Sequence, residues 1–229
     1  MHATVDDTHI AIRARNVTLS LGTTEILKGV DLDIEKGETL AILGASGSGK
    51  SSLMAVLSGL ERASGGAVTV AGVDYGTLGE DALARARRGR IGIILQSFHL
   101  LPTMTAIENV AVPLELAGHA DAFARAEAEL QAVGLDHRLN HYPAQLSGGE
   151  QQRVAIARAM APDPDIVFAD EPTGNLDAAT GVSIIDLLFT RQQTAGATLL
   201  IITHDPGLAE RCDRIVEMRD GHIVAERRP

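Results

Sequence analysis

Three hydrophobic patterns succeed one another along the chain, and each predicts a different kind of element. Apolar and polar positions alternate in residues 9–14, 17–21 and 30–34, which predicts strands with one solvated face, paired in an antiparallel sheet. Nearly continuous apolar runs at residues 39–43, 91–95, 166–169 and 198–203 predict strands covered on both faces, as in a parallel sheet. A further short strand, 67–70, follows Gly65-Gly66. Helical spacing appears after residue 50, in a short polar stretch at 81–88, at 105–118 and 121–133, in the run up to Met160, and at 178–189. Within 121–133 the residues Phe123, Ala126, Leu130 and Val133 share a face, and Gly134 fits a C-terminal stop. Ile184, Ile185 and Leu188 form a core stripe, and Asp220-Gly221 between two short alternating runs predicts a closing hairpin. The helices between 97 and 160 have no strand partner and read as an inserted unit.

The strand at 39–43 runs into Gly44-Ala45-Ser46-Gly47-Ser48-Gly49-Lys50-Ser51-Ser52 and then into helical spacing. G-x-x-x-x-G-K-S between a strand and a helix is the phosphate-binding P-loop. Its glycines let successive backbone N–H groups turn toward phosphate oxygens, and the helix that follows adds the positive end of its dipole. Lys50 would reach the β- and γ-phosphates, and Ser51 would offer a hydroxyl to Mg²⁺. The bland alternative is a flexible Gly/Ser turn.

Two more of the buried strands deliver polar residues to the edge where such sheets bind ligands. The strand at 166–169 ends in Asp170-Glu171; Asp170 suits Mg²⁺ through water, and Glu171 is then free to polarise a water. The strand at 198–203 ends in His204-Asp205, and of eight histidines only His204 is so placed. Gln96 follows the strand at 91–95. Ser147-Gly148-Gly149-Glu150 has the S-x-x-E form of a capping box; it either caps the helix through Met160 and nothing more, or presents backbone N–H groups to an anion. Gly174-Asn175-Leu176-Asp177 reads as a turn into the next helix.

Composition narrows the partners. The 229 residues, 45% hydrophobic and 22% charged, suit one domain with a sizeable core. No apolar run approaches the length that spans a bilayer, and the first sixteen residues, with Asp6 and Asp7, show no secretory leader. A net charge of -10 opposes broad attraction to nucleic acid. Cys212 is the only cysteine, which rules out an internal disulfide and fits a packing role in a reducing compartment.

With the P-loop, Gln96, residues 146–153 (LSGGEQQR), 166–171, GNLD and His204 in this order, the chain resembles the ATP-binding-cassette (ABC) ATPases over nearly its full length. Residues 97–103, Glu108-Asn109-Val110 and 169–177 resemble the branch of lipoprotein-release, macrolide-export and YbbA-like ATPases. The resemblance implies an α/β fold: a RecA-like P-loop core with an antiparallel β subdomain (together about 8–96 and 161–229) and an inserted helical subdomain (about 97–160) within a single domain. It implies a head-to-tail homodimer that sandwiches two ATP molecules with Mg²⁺, in which Gly44 to Ser52 hold one ATP and Ser147, Gly148 and Gly149 of the opposite subunit cap its γ-phosphate. Glu171 is implied as base or water-orienting group, His204 as γ-phosphate contact, Gln96 as the link from Mg²⁺ to the helical subdomain, and Asp177 as an interface residue. Leu21 stands about where many members carry an aromatic residue against adenine. The implied function is the peripheral ATPase subunit of a transporter on the cytoplasmic side of the bacterial inner membrane. It would drive a separate FtsX- or MacB-like permease that exports or extracts a hydrophobic or lipid-linked substrate, and no nucleic-acid partner is expected. A soluble ABC ATPase acting on nucleic acid or ribosomes is the alternative.

Overall fold

The structure, a computed structural model, describes residues 9–229; Asp6 and Asp7, on which the reading of the N-terminus rests, lie outside the described residues. The described residues form ten strands and seven α-helices. β1 (Ile10–Leu21), β2 (Thr24–Glu35), β4 (Gly65–Val70) and β5 (Val73–Asp74) form an antiparallel sheet in the order β2-β1-β4-β5. A second sheet has the order β10-β9-β3-β8-β7-β6, from β3 (Thr39–Leu43), β6 (Ile91–Ile94), β7 (Ile166–Asp170), β8 (Thr198–Ile202), β9 (Arg214–Arg219) and β10 (His222–Arg227). All its pairings are parallel except the β9–β10 hairpin, which turns through Asp220 and Gly221, both at positive φ. A type I′ geometry with φ > 0 at both central residues matches the twist of the strands it joins.

Alternate residues of the central strands feed two different cores. Leu40, Ile42, Phe168, Leu200 and Ile202 face α1 (Lys50–Leu57) and the antiparallel sheet, whereas Ala41, Val167, Ala169, Leu199 and Ile201 face α5 (Gly148–Met160) and α6 (Ala178–Ala195). The sequence therefore shows no alternation in these strands: both faces are buried, and each side chain such as Phe168 contributes about 2–3 kcal/mol by leaving water. α2 (Glu80–Arg87) packs on the α1 side, while α3 (Ala106–Leu116) and α4 (Ala122–Ala132) join α5 in the helical layer, and α7 (Pro206–Ala209) follows β8.

Local departures from the sequence reading have physical causes. β1 is one strand with a bulge at Asn16, where φ is +47 and the amide donates to Asp31 Oδ1 at 3.0 Å, so the period breaks without ending the strand. β2 begins at Thr24, six residues before its alternating stretch. On α4 the buried stripe is Ala122, Ala126 and Leu130, and Phe123 is 48% exposed. α6 continues past Phe189 because Gln192 is buried, donating to the Ala197 carbonyl at 2.7 Å, and the helix closes at Gly196 with φ +64.

Candidate nucleotide site

A cavity of about 570 Å³ opens at the carboxyl ends of β3, β7 and β8. Its lining draws on Gly44, Ser46, Gly47, Gly49, Lys50, Ser51 and Ser52 from the loop, Gln96 after β6, Asp170 and Glu171 after β7, and Ile202 and His204 from β8 and beyond. The loop can adopt this path only because of where its glycines fall. Gly49, the N-cap of α1, sits at φ +99, and a Cβ on Gly44 would come within 2.7 Å of Ser48 Oγ and collide with the Met218 carbonyl. Lys50 is buried; its Nζ donates to the carbonyls of Gly44 at 2.8 Å and Ala45 at 2.9 Å, which pins the ammonium against the loop. Ser48 Oγ is buried with no hydrogen-bond partner among the described residues.

The acid pair faces this loop. The Asp170 carboxyl lies above the ordinary value because burial disfavours the charge and Glu171 repels it, against the opposing pull of the nearby Ser51 hydroxyl and Lys50. Glu171 departs from the strand at φ +46, a left-handed backbone that a glutamate adopts only where surrounding bonds impose it. Its N–H donates to the Ile202 carbonyl at 2.9 Å, and its carbonyl accepts from Gly174 N–H at 3.0 Å. The turn swings the carboxylate, one-fifth exposed, to His204, whose Nδ1 lies 2.7 Å from Glu171 Oε2. A carboxylate, an imidazole and a lysine thus line one cavity with the glycine-rich loop, an arrangement suited to binding a phosphoanhydride and activating water beside it.

Six of the residues singled out by motif do not line this cavity: Ala45 and Ser48 of the loop itself, and Ser147, Gly148, Gly149 and Asp177. Ser147 caps α5 through a reciprocal capping box with Glu150, and Asp177 caps α6 by accepting from Thr180 N at 3.0 Å. A Cβ on Gly148 would touch Leu176 at 3.3 Å, and one on Gly149 would lie 2.6 Å from Thr180, so the start of α5 packs against the start of α6. Leu21 is 53% exposed at the end of β1 and does not line the cavity, whereas Ile26 of β2 does. Sequence reasoning passed over Ile26 because Ile26-Leu27 breaks the alternation of that strand; the adjacency of two apolar residues ahead of a P-loop is the signal that marks it. Cys212 is buried, and burial, with the charge of Asp213, pushes its thiol up to about 12, as befits a packing residue.

A phosphate loop closing a buried parallel strand, with an acid pair and a histidine on the same sheet edge, defines a P-loop nucleotide-hydrolysing protein. Residues 27–174 match the ABC transporter family, and the chain belongs to it as an ATP-binding ATPase of the transporter type. Over 203 residues it is 50% identical to YbbA of Escherichia coli K12, an uncharacterised ABC transporter ATP-binding protein, covering 88% of this chain and 89% of that one. It is 49% identical over 208 residues to the lipoprotein-releasing system ATP-binding protein LolD 2 of Caulobacter vibrioides, covering 90% and 91%. Identity to the macrolide export ATP-binding/permease protein MacB 1 of Escherichia coli O1:K1 is 49% over 202 residues, which is 87% of this chain and 31% of that longer protein. In structure it matches the ATP-binding cassette MJ0796 in a dimeric post-hydrolysis state bound to ADP and Pi, with a TM-score of 0.87, 38% identity, and coverage of 95% and 98%.

Proposed function

We propose that two copies of this chain form a head-to-tail dimer around two MgATP and that hydrolysis at the paired sites drives a separate integral membrane permease of the FtsX/MacB-like type. The observation that carries this reading is Glu171: a left-handed backbone holds its carboxylate at the mouth of the phosphate loop and in contact with His204. Gly44 to Ser52 bind the phosphates, Lys50 neutralises the β- and γ-phosphates, Glu171 orients and deprotonates the attacking water, and His204 steadies the γ-phosphate. The Ser51 hydroxyl, the Asp170 carboxylate and the Gln96 amide, all on the cavity lining, are hard oxygen donors that fit Mg²⁺. Bound there, Mg²⁺ would neutralise the charge that builds on the phosphates.

Ser147, Gly148, Gly149 and Asp177 lie outside the cavity of their own chain, which favours their acting on the site of a second copy, as the dimeric state of MJ0796 also supports. Among the described residues no helix is long and apolar enough to cross a membrane. A groove of about 490 Å³ lined by Leu60, Pro113 and Leu116 together with Arg88 and Arg158 offers the proposed permease an apolar and basic seat on an acidic chain. The names of the relatives, lipoprotein-releasing and macrolide export, point to a hydrophobic or lipid-linked cargo and to the cytoplasmic face of a bacterial inner membrane.

Glu171→Gln tests the assignment. The variant should lose at least ~100-fold in turnover, the size expected when a general base is removed, and accumulate as an ATP-bound dimer in light scattering. Unchanged turnover would move the base elsewhere.

A further inference from the structure

The turn that follows Gln96 is unusual in its backbone. Phe98 and His99 are consecutive residues with φ +60 and +47, and for a side chain as bulky as Phe the left-handed region is a genuine outlier. Phe98 N–H donates back to the Leu95 carbonyl at 3.0 Å, which closes the turn over Gln96 itself. His99 N–H donates to the Ser97 carbonyl at 2.6 Å, and one side chain reaches both strained residues from outside the turn. Arg158, on α5, donates through one terminal nitrogen to the His99 carbonyl at 2.7 Å and through the other to the Phe98 carbonyl at 2.8 Å.

Arg158 is half-buried, and no carboxylate pairs with it among the described residues. Burial without a counter-charge pulls its guanidinium below the usual arginine value. A charge desolvated on these terms is costly, and the two carbonyls are its compensation. The planar fork of arginine can engage two successive carbonyls at once, whereas the single ammonium of lysine cannot hold both in fixed geometry. On the other side of the turn, Asn175 Nδ2 donates to the Gln96 carbonyl at 2.9 Å, and the Gln96 side chain packs on Gly174, three residues past Glu171. Gln96 is therefore fixed from the acid-pair loop and from α5 together, and Arg158 also lines the groove beside Leu60, Leu116 and Pro113.

The geometry points to Arg158 as a positioning residue for hydrolysis: its two-carbonyl clamp on Phe98 and His99 holds the turn that aims Gln96 into the nucleotide cavity. Arg158 matters to turnover only if Gln96 serves the hydrolysis site, as proposed above. The clamp makes one side chain common to the groove and the catalytic cavity, so whatever engages the Arg158 guanidinium from the groove alters the position of Gln96.

The test compares wild type, Arg158→Ala and Arg158→Lys in steady-state ATPase assays, in ATP titrations and in hydrogen exchange. In Arg158→Ala, kcat should fall by at least ~10-fold while the Kd for ATP stays within about twofold, since the phosphate loop is untouched. Arg158→Lys should recover part of the rate, and millimolar methylguanidinium should recover part of it in Arg158→Ala. Exchange should rise at the amides of residues 96–101 and remain at the wild-type level along α5. A kcat of Arg158→Ala within twofold of wild type overturns the inference. So does a loss of rate accompanied by faster exchange throughout α5 and no recovery with lysine or methylguanidinium, which would mark Arg158 as structural only. A wild-type chain that hydrolyses no ATP would instead contradict the proposed function; unchanged exchange at 96–101 in Arg158→Ala would then still overturn the clamp.

Discussion

Glu171 shows how a single residue can carry a site at some cost to its own backbone. Positive φ outside glycine costs of order 1–2 kcal/mol, and here the Ile202 and Gly174 bonds impose it, placing the carboxylate beside His204. The adjacency of Asp170 and Glu171 after a buried strand is legible in the sequence; the backbone reversal that sends the two carboxylates to different partners is not, because no residue type announces it. At Leu21 the reading is the reverse. An aliphatic residue, half-exposed at a strand end, offers adenine no aromatic face, and Ile26 supplies the apolar lining. Leu21→Tyr should tighten ATP binding by roughly 2- to 10-fold, the worth of one aromatic contact, as read by titration calorimetry; an unchanged Kd would mean that the base lies away from the end of β1. Cys212 gives a residue-scale prediction with a definite sign. Its raised thiol, about 12 against an ordinary 9.0, stays protonated in the fold, so labelling by a thiol reagent at pH 8 should be at least ~100-fold slower in the native chain than in denaturant. Equal rates would show that the thiol is solvent-exposed.

At the scale of elements, the helices of the inserted layer are held by polar groups as much as by their apolar stripes. Thr105 and Glu108 form a capping box at the start of α3, and Asn109, fully buried, accepts from Leu101 N at 2.7 Å and donates to the Leu101, Met104 and Thr105 carbonyls. One amide thus ties the loop before α3 to the helix itself. Asn109→Ala leaves the Leu101 N–H and the Met104 carbonyl unpaired and should cost about 2–3 kcal/mol, a fall in Tm of roughly 4–12 °C by calorimetry; a change under about 1 °C would show that the loop is held by other contacts. The boundaries that the sequence misplaced share one cause, tertiary contacts that local pattern does not encode. The bulge at Asn16 interrupts the period of β1, β2 starts early where Ile26 serves the cavity, and buried Gln192 carries α6 onward through a polar stretch. Phe123 fell on the wrong side because Ala122, a weaker hydrophobic signal one residue earlier, is the one that packs.

The whole molecule follows from β3, β7 and β8 being buried on both faces. One face needs the antiparallel sheet and α1, the other needs α5 and α6, and the order β10-β9-β3-β8-β7-β6 then gathers the phosphate loop, the acid pair and His204 at one edge. This much was legible, since continuous apolar runs and the polar residues ending them specify both the strands and their common edge. How two copies meet is implied by the resemblance alone, because an interface between copies leaves no periodicity; in the proposed dimer Ser147, Gly148 and Gly149, which do not line the cavity of their own chain, act on the site of the second copy. The direct test is the rate of Mg²⁺-dependent ATP hydrolysis per chain against chain concentration, with mass followed by light scattering in the same samples. A site completed by a second copy predicts a specific rate that rises with concentration, close to second order overall while the chain is mostly monomeric, and levels off as the ATP-bound dimer fills. A specific rate that is constant across the range, with the chain monomeric throughout, would contradict it.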